Sequence, residues 1–254
     1  LARETADGGP AVLLGTPWVE GNRLHNAMVL LEDGVVSAAR YKHDLPNYGV
    51  FDEKRVFDPG PLPGPINFHD VRIGVPVCED IWTPDVVECI AETGGELLLI
   101  PNGSPFEAGK SDVRVHHAVA RVVESGLPLV YLNQIGGQDE LVFDGGSFVM
   151  NADRTLAWQL PAWREDIAIT EWRRSAQGWI CAPGKTAPIE TGLAAIYQAM
   201  TVGLRNYVNK NGFPGVILGM SGGIDSAISA AVAVDALGPD RVHCVMMPSP
   251  YTSQ

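Results

Sequence analysis

The chain has 254 residues, 46% of them hydrophobic, and a formal net charge of −12. This length and composition accommodate one large domain or two smaller ones with a sizeable core. The acidic balance argues against non-specific nucleic-acid binding, which recruits Lys and Arg to the phosphate backbone. No apolar run approaches the roughly 18 residues of a membrane span, and residues 1–10 lack the apolar core of a signal peptide.

The first 172 residues contain short apolar runs broken by Gly and Pro, which predict a layered α/β domain. Helices are predicted at Pro84–Glu92 and around Val115–Val123, where apolar residues recur at helical spacing before Gly126. The predicted strands are Ala27–Leu31, Val71–Val77, Glu96–Ile100, Leu127–Asn133 and Gly145–Met150.

Residues 173–188 have weak periodicity and are predicted to form a linker. The pattern then changes to a long amphipathic helix, Leu193–Val208, which ends at Asn211 and Gly212. A strand, a Gly-rich turn, a helix and a second strand follow and predict a βαβ unit. Its strands and helix are Val216–Leu218, Ile224–Leu237 and Val242–Met247.

The four cysteines form no Cys-x-x-Cys pair and lie beside no His cluster at zinc spacing. A structural metal or a disulfide framework is therefore not expected, and the reducing cytoplasm is the simplest compartment. Cys89, Cys181 and Cys244 are predicted to be buried core residues, Cys89 on a helix and Cys244 in a strand.

The Gly-rich turn reads Gly219-Met220-Ser221-Gly222-Gly223-Ile224-Asp225-Ser226. Adjacent glycines let the backbone approach an anion, and the N–H groups of a helix start point at it. Ser221 and Ser226 can donate hydrogen bonds to phosphate oxygens, and Asp225 predicts Mg²⁺ between its carboxylate and a pyrophosphate. No Gly-Lys-Ser/Thr follows, so this is not a Walker A loop. A tight strand–helix turn capped by serine is the alternative.

Residues Ser221–Ser226 resemble the pyrophosphate loop of the N-type ATP pyrophosphatases, which include NAD, GMP and asparagine synthetases. These enzymes activate a carbonyl oxygen with AMP and let ammonia displace it. The segments Tyr207–Phe213 and Met247–Ser253 resemble NAD synthetases in particular. The resemblance implies ATP and Mg as cofactors, an adenine site near Val245–Met247, and a doubly wound parallel sheet of the adenine nucleotide alpha hydrolase-like type.

Cys78 stands at the end of a predicted strand, where a nucleophile can project into a cleft among free backbone N–H groups. A buried core cysteine is the alternative. With the segment Lys42–Arg55, the residues around Cys78 resemble the glutaminase domain of the nitrilase superfamily, in the form fused to NAD synthetases. The resemblance covers about residues 11–172 and implies an α-β-β-α sandwich.

This resemblance also implies roles for individual residues. Cys78 would attack the side-chain amide of glutamine and give a thioester and ammonia, and Lys42 would stabilise the oxyanion and the thiolate. Ser104 and Lys110 would contact the polar end of the amino acid; a turn serine and a solvated lysine are the alternatives. The glutamine-binding residues would be Tyr48, Glu53, Ser104 and Lys110.

The general base of the nitrilase triad, Glu–Lys–Cys, lies upstream of the lysine in the family. Glu4, Glu20 and Glu32 lack the surrounding pattern, so we expect the base to lie before Leu1. Such a base contributes about 10²–10⁴-fold to the rate. Because the chain also stops at Gln254 within an α/β repeat, we expect a fragment truncated at both ends.

The expected organisation is a glutamine amidohydrolase domain at residues 1–172, a linker at 173–188, and the start of an ATP-pyrophosphatase domain at 189–254. The resemblance implies a glutamine-dependent NAD synthetase, in which ammonia amidates AMP-activated nicotinic acid adenine dinucleotide while ATP yields AMP and pyrophosphate. An internal ammonia channel and a homo-oligomeric parent are expected, and the fragment alone is expected to be inactive in synthesis.

Three alternatives remain open at this point. The first is another glutamine-fed adenylating ligase with a different acceptor, because the acceptor site would lie beyond Gln254. The second is a nitrilase-type amidase without synthetase activity. The third is a catalytically dead interaction module, which labelling of Cys78 by a glutamine-analogue electrophile would argue against.

Overall fold

A computed structural model describes residues 1–246 of the chain. The predicted strand residue Met247 and the segment Met247–Ser253 lie outside the described residues. Within residues 1–246 the chain forms fifteen strands and four α-helices. In chain order they are β1 (Val12–Glu20), β2 (Arg23–Glu32), β3 (Val35–Tyr41), β4 (Ile66–Phe68), β5 (Val71–Gly74), α1 (Asp85–Glu92), β6 (Leu97–Asn102), α2 (Lys110–Ser125), β7 (Leu129–Asn133), β8 (Ile135–Gln138), β9 (Leu141–Asp144), β10 (Phe148–Met150), β11 (Leu156–Gln159), β12 (Trp172–Ser175), β13 (Gly178–Cys181), α3 (Gly192–Lys210), β14 (Val216–Met220), α4 (Ile224–Leu237) and β15 (Val242–Met246).

A six-stranded sheet in the order β11-β10-β7-β6-β5-β4 forms the centre of the first unit. Its strands β5, β6 and β7 run parallel, as expected for strands joined by the crossover helices α1 and α2. Both helices pack on one face of this sheet, and their apolar residues meet those of the strands in a buried core. That core includes Val86, Ile90, Leu98, Val122 and Tyr131.

The opposite face of the six-stranded sheet carries an antiparallel sheet, β1-β2-β3. Met28 and Leu30 of β2 pack against Ile66, Val75 and Val77, which makes a sheet-on-sheet core. Residues 1–182 therefore supply helix, sheet and sheet layers in succession. The predicted α/β class is confirmed, and these are three of the layers of the predicted α-β-β-α sandwich.

Strand β5 ends earlier than predicted, at Gly74. Pro76 has no N–H for a strand ladder, and the Val77 N–H donates to Asp80 Oδ2 at 2.8 Å instead. Cys78 consequently opens a short 3₁₀ turn, Cys78–Ile81, rather than standing at a strand end as predicted. The correction places the cysteine on a tight turn held by a side chain.

The stretch predicted to be a linker contains the antiparallel hairpin β12–β13. Cys181 is buried, as predicted, against Val149 and Ala157, and its N–H donates to Asn151 Oδ1 at 2.8 Å. Gly184 then passes under the ring of Trp158, where a Cβ would lie 1.9 Å from a ring carbon. Tertiary contacts with the first unit thus structure residues whose own periodicity is weak.

The predicted long helix is confirmed as α3, and the βαβ unit is confirmed as β14-α4-β15 with parallel strands. Helix α3 packs on the first unit through Ala195 and Val202, which meet Ala162 and Trp163. Cys244 lies in β15, as predicted, but is exposed there rather than buried. The main neighbours of β15 within residues 1–246 are β14 and α4. No helix in this part of the chain combines the length and apolar character of a membrane crossing.

Candidate functional site

Cys78 lies in a cleft of about 360 Å³ on the surface of the first unit. Its φ angle is +49°, a left-handed conformation that few residues other than glycine adopt. Such backbone strain is of order 1–3 kcal/mol and persists only where surrounding contacts hold it. The turn therefore presents the sulfur at a fixed point of the cleft, as a nucleophile requires.

Lys42 follows β3 and is buried to 1% exposure behind this cleft. Its Nζ donates to both carboxylate oxygens of Glu53 at 2.8 Å, and its backbone N–H donates to Asn26 O at 2.8 Å. The carboxylate compensates the buried ammonium group, since an unpaired cation there would carry a large desolvation cost. Glu53, predicted to line the glutamine pocket, is thus the ion-pair partner of Lys42.

The groups around Cys78 shift the pKa of its thiol in opposing directions. Burial raises its pKa above the ordinary value, and the positive charge of Lys42 lowers it. The carboxylates of Glu79 and Glu53 raise the pKa further, whereas the backbone N–H of Gly103 lowers it by hydrogen bonding to the sulfur. Because the net direction is upward, the thiol is neutral at pH 7 and needs a base before it can attack.

Replacing Lys42 with methionine is expected to slow the alkylation of Cys78. Loss of the positive charge leaves Glu53 and Glu79 acting on the sulfur, so the thiol pKa should rise further. The pH dependence of iodoacetamide labelling, followed on the Cys78 peptide by mass spectrometry, measures this shift. At pH 8 the rate should fall roughly tenfold or more. Lys185→Met removes an exposed lysine and should leave the rate unchanged; an unchanged rate in K42M would contradict the account.

Three of the residues predicted to bind glutamine, Tyr48, Ser104 and Lys110, line the same cleft as Cys78. The Tyr48 hydroxyl donates a hydrogen bond to Glu79 Oε1 at 2.7 Å. Burial is the main cause that raises the pKa of this phenol, and the hydrogen bond to Glu79 raises it further. Lys110 Nζ bonds Glu107 Oε1 at 2.6 Å. The cleft therefore offers carboxylates for an α-ammonium group and an ammonium for an α-carboxylate.

Ser104 is held in the cleft by a buried arginine that the sequence did not indicate. Arg114 Nε donates to Ser104 Oγ at 3.0 Å, and its Nη2 donates to the carbonyls of Ser104 and Pro105 at 2.8 and 3.0 Å. Its Nη1 pairs with Asp144 Oδ2 at 2.8 Å. The Ser104 N–H donates to Asn133 Oδ1 at 3.0 Å. Arg114 shares the buried face of α2 with Ala118, Arg121 and Val122, and this helical spacing was the local signal for its burial.

The predicted phosphate loop lies between β14 and α4, with Gly219 and Met220 ending the strand and Ile224 opening the helix. Gly222 has φ +84°, where any side chain is strained. Ser226 Oγ donates to Gly223 O at 2.9 Å and lies 3.3 Å from Ser221 Oγ. The Gly223 N–H donates to Ser221 Oγ at 3.4 Å. The N–H groups of the first turn of α4 have no intrahelical acceptor and can meet an anion.

Asp225 occupies the first turn of α4, beside Ser221 and Ser226. Its carboxylate and their hydroxyls are the oxygen donors that Mg²⁺ prefers. In residues 1–246 no cluster of three or more His, Cys, Asp or Glu side chains is arranged to hold a metal ion. A cation at Asp225 would therefore take its remaining oxygens from a bound nucleotide or from water.

Two known families match separate parts of the chain. Residues 1–179 match the carbon-nitrogen hydrolase family, and residues 196–254 match the NAD synthase family. This chain belongs to the carbon-nitrogen hydrolase family. Its nitrilase-like first domain is the one that the segments around Lys42 and Cys78 predicted, and part of an NAD synthase domain follows.

The carbon-nitrogen hydrolase chain has a relative in Rhodobacter capsulatus, a glutamine-dependent NAD(+) synthetase. The two are 49% identical over 254 residues, which is 100% of this chain and 46% of that protein. The chain thus spans about half the length of the curated relatives it matches. The activity of these relatives is therefore proposed for this chain below.

Two solved structures share the fold. The first is glutamine-dependent NAD+ synthetase from Acinetobacter baumannii in complex with adenosine diphosphate. The match covers 96% of this chain and 46% of that chain, with a TM-score of 0.90 and 41% sequence identity. A mutant amidase from Nesterenkonia sp. AN1 shows Michael addition of acrylamide at its active site cysteine. It covers 63% of this chain and 61% of its own, with a TM-score of 0.54 and 32% identity.

Proposed function

We propose that this chain supplies the glutamine-hydrolysing site and the ATP pyrophosphate loop of a glutamine-dependent NAD synthetase. The observation that carries the proposal is Cys78 on a strained turn, in one cleft with Tyr48, Ser104 and Lys110 and backed by the charged Lys42. The names of the relatives support it. The four free cysteines support a reducing, cytoplasmic location.

In the proposed glutaminase reaction, Cys78 Sγ attacks the side-chain carbonyl carbon of glutamine. Lys42 and the Gly103 N–H stabilise the oxyanion of the tetrahedral intermediate. The thiol proton passes to the base predicted from the Glu–Lys–Cys triad and then to the departing nitrogen, so ammonia leaves and a thioester remains. Water then hydrolyses the thioester to glutamate and restores the thiol.

The second reaction is proposed at the loop Gly219–Ser226. Its N–H groups and the hydroxyls of Ser221 and Ser226 would bind the pyrophosphate part of ATP, with Mg²⁺ at Asp225. Bound Mg²⁺ would neutralise phosphate charge as pyrophosphate leaves. Nicotinic acid adenine dinucleotide would be activated with AMP, and ammonia would displace AMP to give NAD. Binding of adenosine diphosphate by the Acinetobacter baumannii enzyme supports the nucleotide.

We propose a domain boundary after the hairpin β12–β13. This hairpin packs on the first unit through Cys181, and the carbon-nitrogen hydrolase match extends to residue 179. The amidohydrolase domain would then include most of the stretch first predicted as a linker, and α3 would begin the synthetase domain. The homo-oligomeric state stays a prediction.

Steady-state assays of the whole protein test the proposed function. Glutamine with ATP and nicotinic acid adenine dinucleotide should give NAD, AMP, pyrophosphate and glutamate in equal amounts. Ammonia release with no ATP-dependent amidation would instead favour a stand-alone amidase. Amidation of another acceptor, with none of the dinucleotide, would favour a different glutamine-fed ligase.

Gly222→Ala is expected to impair the ATP-dependent step selectively. A Cβ at φ +84° strains the loop and occupies the backbone surface that must approach the phosphates. The kcat/KM for ATP, measured with free ammonia, should fall roughly tenfold or more, which is about 1.4 kcal/mol. Labelling of Cys78 should be unchanged. Gly212→Ala has comparable strain at φ +69° with nothing within 4 Å, and should leave kcat/KM for ATP unaltered.

A further inference from the structure

The carboxylate of Asp80 lies two residues after Cys78 and is buried to 1% exposure. Its Oδ1 accepts the backbone N–H groups of His43 and Asp44, at 3.0 and 2.7 Å. Its Oδ2 accepts the Val77 N–H at 2.8 Å. One side chain therefore joins the backbone that follows Lys42 to the backbone that precedes Cys78.

The charge on Asp80 suits this bridging position. Burial raises its pKa to about 6, while the N–H groups of Asp44, Val77 and His43 and the positive charge of Lys42 lower it. At pH 7 the group is therefore ionised, and charge-assisted hydrogen bonds of this kind are roughly twice as strong as neutral ones. Three backbone N–H groups donate to its two oxygens, so the carboxylate bonds both the segment after Lys42 and the segment before Cys78.

The same contacts exclude a direct chemical role for Asp80. It does not line the cleft that contains Cys78, Tyr48, Ser104 and Lys110. Its oxygens are already bonded to backbone N–H groups. It is consequently placed to act on the reaction only through the two segments that it joins.

We propose that Asp80 is the positioning residue that fixes the Cys78 sulfur relative to the Lys42 ammonium. The inference rests on the proposed glutaminase function. Cys78 is strained at φ +49° in a turn of only four residues, Cys78–Ile81. Without the bond from the Val77 N–H to Asp80 the turn relaxes, and the sulfur no longer keeps its distance and direction from the Lys42 ammonium. Since Asp80 bonds neither Ser104 nor Lys110, which are predicted to hold the polar end of glutamine, glutamine binding persists while attack slows.

Asp80→Asn in the whole protein tests this inference. The amide has nearly the same shape but lacks the charge, and its NH₂ group faces backbone N–H donors. The kcat for glutamine hydrolysis should fall about 100-fold, since a displacement of about 1 Å can cost that much. The KM for glutamine should stay within about threefold, and NAD synthesis from free ammonia should be unchanged. Asp153→Asn, at an exposed turn where Asp153 accepts from Thr155, is the matched control.

A double-mutant comparison separates positioning from stability. If Asp80 acts through the spacing of Lys42 and Cys78, adding D80N to K42M should slow Cys78 labelling only slightly further. Independent, multiplying effects of the two substitutions would overturn the inference, as would a D80N enzyme with normal kcat. If D80N fails to fold, Asp80→Glu retains the charge at a different reach, and it should likewise lower kcat without raising KM. A normal kcat in D80E would then overturn the inference.

The wild-type protein separates this test from that of the proposed function. If wild type releases no ammonia from glutamine and Cys78 is not labelled, the proposed function fails. If wild type is active and D80N equals it, only the positioning role of Asp80 fails.

Discussion

Cys78→Ala is expected to abolish ammonia release from glutamine, because no thioester can form without the sulfur. In the whole protein the rate of glutamine hydrolysis should fall by more than about 10³-fold, as for nucleophile removal in other covalent enzymes. NAD synthesis from free ammonia should persist, because the loop at residues 219–226 lies on a separate unit. A coupled glutamate assay and an ammonia-fed NAD assay measure the two activities.

Cys89→Ala is the matched control for this result. Cys89 lies on α1, is likewise partly buried, and does not line the cleft. Its substitution should leave both activities intact. If C78A hydrolysed glutamine at the wild-type rate, the assignment of the nucleophile would be wrong. If it lost both activities together while remaining folded, the separation of the two sites would be wrong.

Arg114→Met is expected to produce a larger loss of stability than the other substitutions considered. Arg114 is buried and makes hydrogen bonds to Ser104, Pro105 and Asp144. Removing one partner of a buried ion pair costs about 3–5 kcal/mol, because the other charge is left uncompensated. Asp144 Oδ1 already lacks a hydrogen-bond partner among the described residues. Without Arg114, the buried carboxylate would therefore also lose the donor to its other oxygen. Urea denaturation measures the change in the free energy of unfolding.

Two further variants show whether the charge pair is the cause. The double substitution R114M with Asp144→Leu removes both charges and should recover much of the lost stability. Arg174→Met removes an exposed partner of Glu96 and should cost at most about 1 kcal/mol. In R114M the KM for glutamine should also rise, because Ser104 loses its fixed orientation. Equal losses in R114M and R174M would contradict the account.

Local signals predicted the four α-helices and seven of the fifteen strands among residues 1–246. The bounds of α4 follow from the Gly-rich turn before Ile224 and the glycine after Leu237, and α3 follows from its apolar period. The early end of β5 was missed because the apolar alternation of Val71–Val77 continues past Gly74. Pro76 and the bond from the Val77 N–H to Asp80 end the strand pairing before that pattern ends.

The hairpin β12–β13 was missed for a related reason. Its strands are four residues each, and its buried anchor Cys181 bonds Asn151, thirty residues earlier in the chain. Short strands carry too few alternating positions for a clear period. The hairpin is stabilised by packing against residues distant in the chain, and its own sequence does not indicate this packing.

The candidate site was predicted unevenly. Resemblance pointed to Cys78, Lys42, Tyr48, Ser104 and Lys110, and the fold places these residues in or directly behind one cleft. Their roles in catalysis and glutamine binding stay predictions. The contacts that hold the site could not be predicted, because each joins residues distant in the chain. They are the bonds of Glu53 to Lys42, of Asp80 to His43 and Asp44, and of Arg114 to Asp144.

Covalent labelling of the whole protein by a diazoketone analogue of glutamine tests the central claim most directly. Peptide mapping should find the adduct on Cys78 and not on Cys89, Cys181 or Cys244, and glutamine should protect Cys78 from the reaction. The labelled protein should lose NAD synthesis from glutamine and retain synthesis from ammonia. An adduct on another cysteine, or labelling of Cys78 that glutamine does not slow, would contradict a glutaminase site at Cys78.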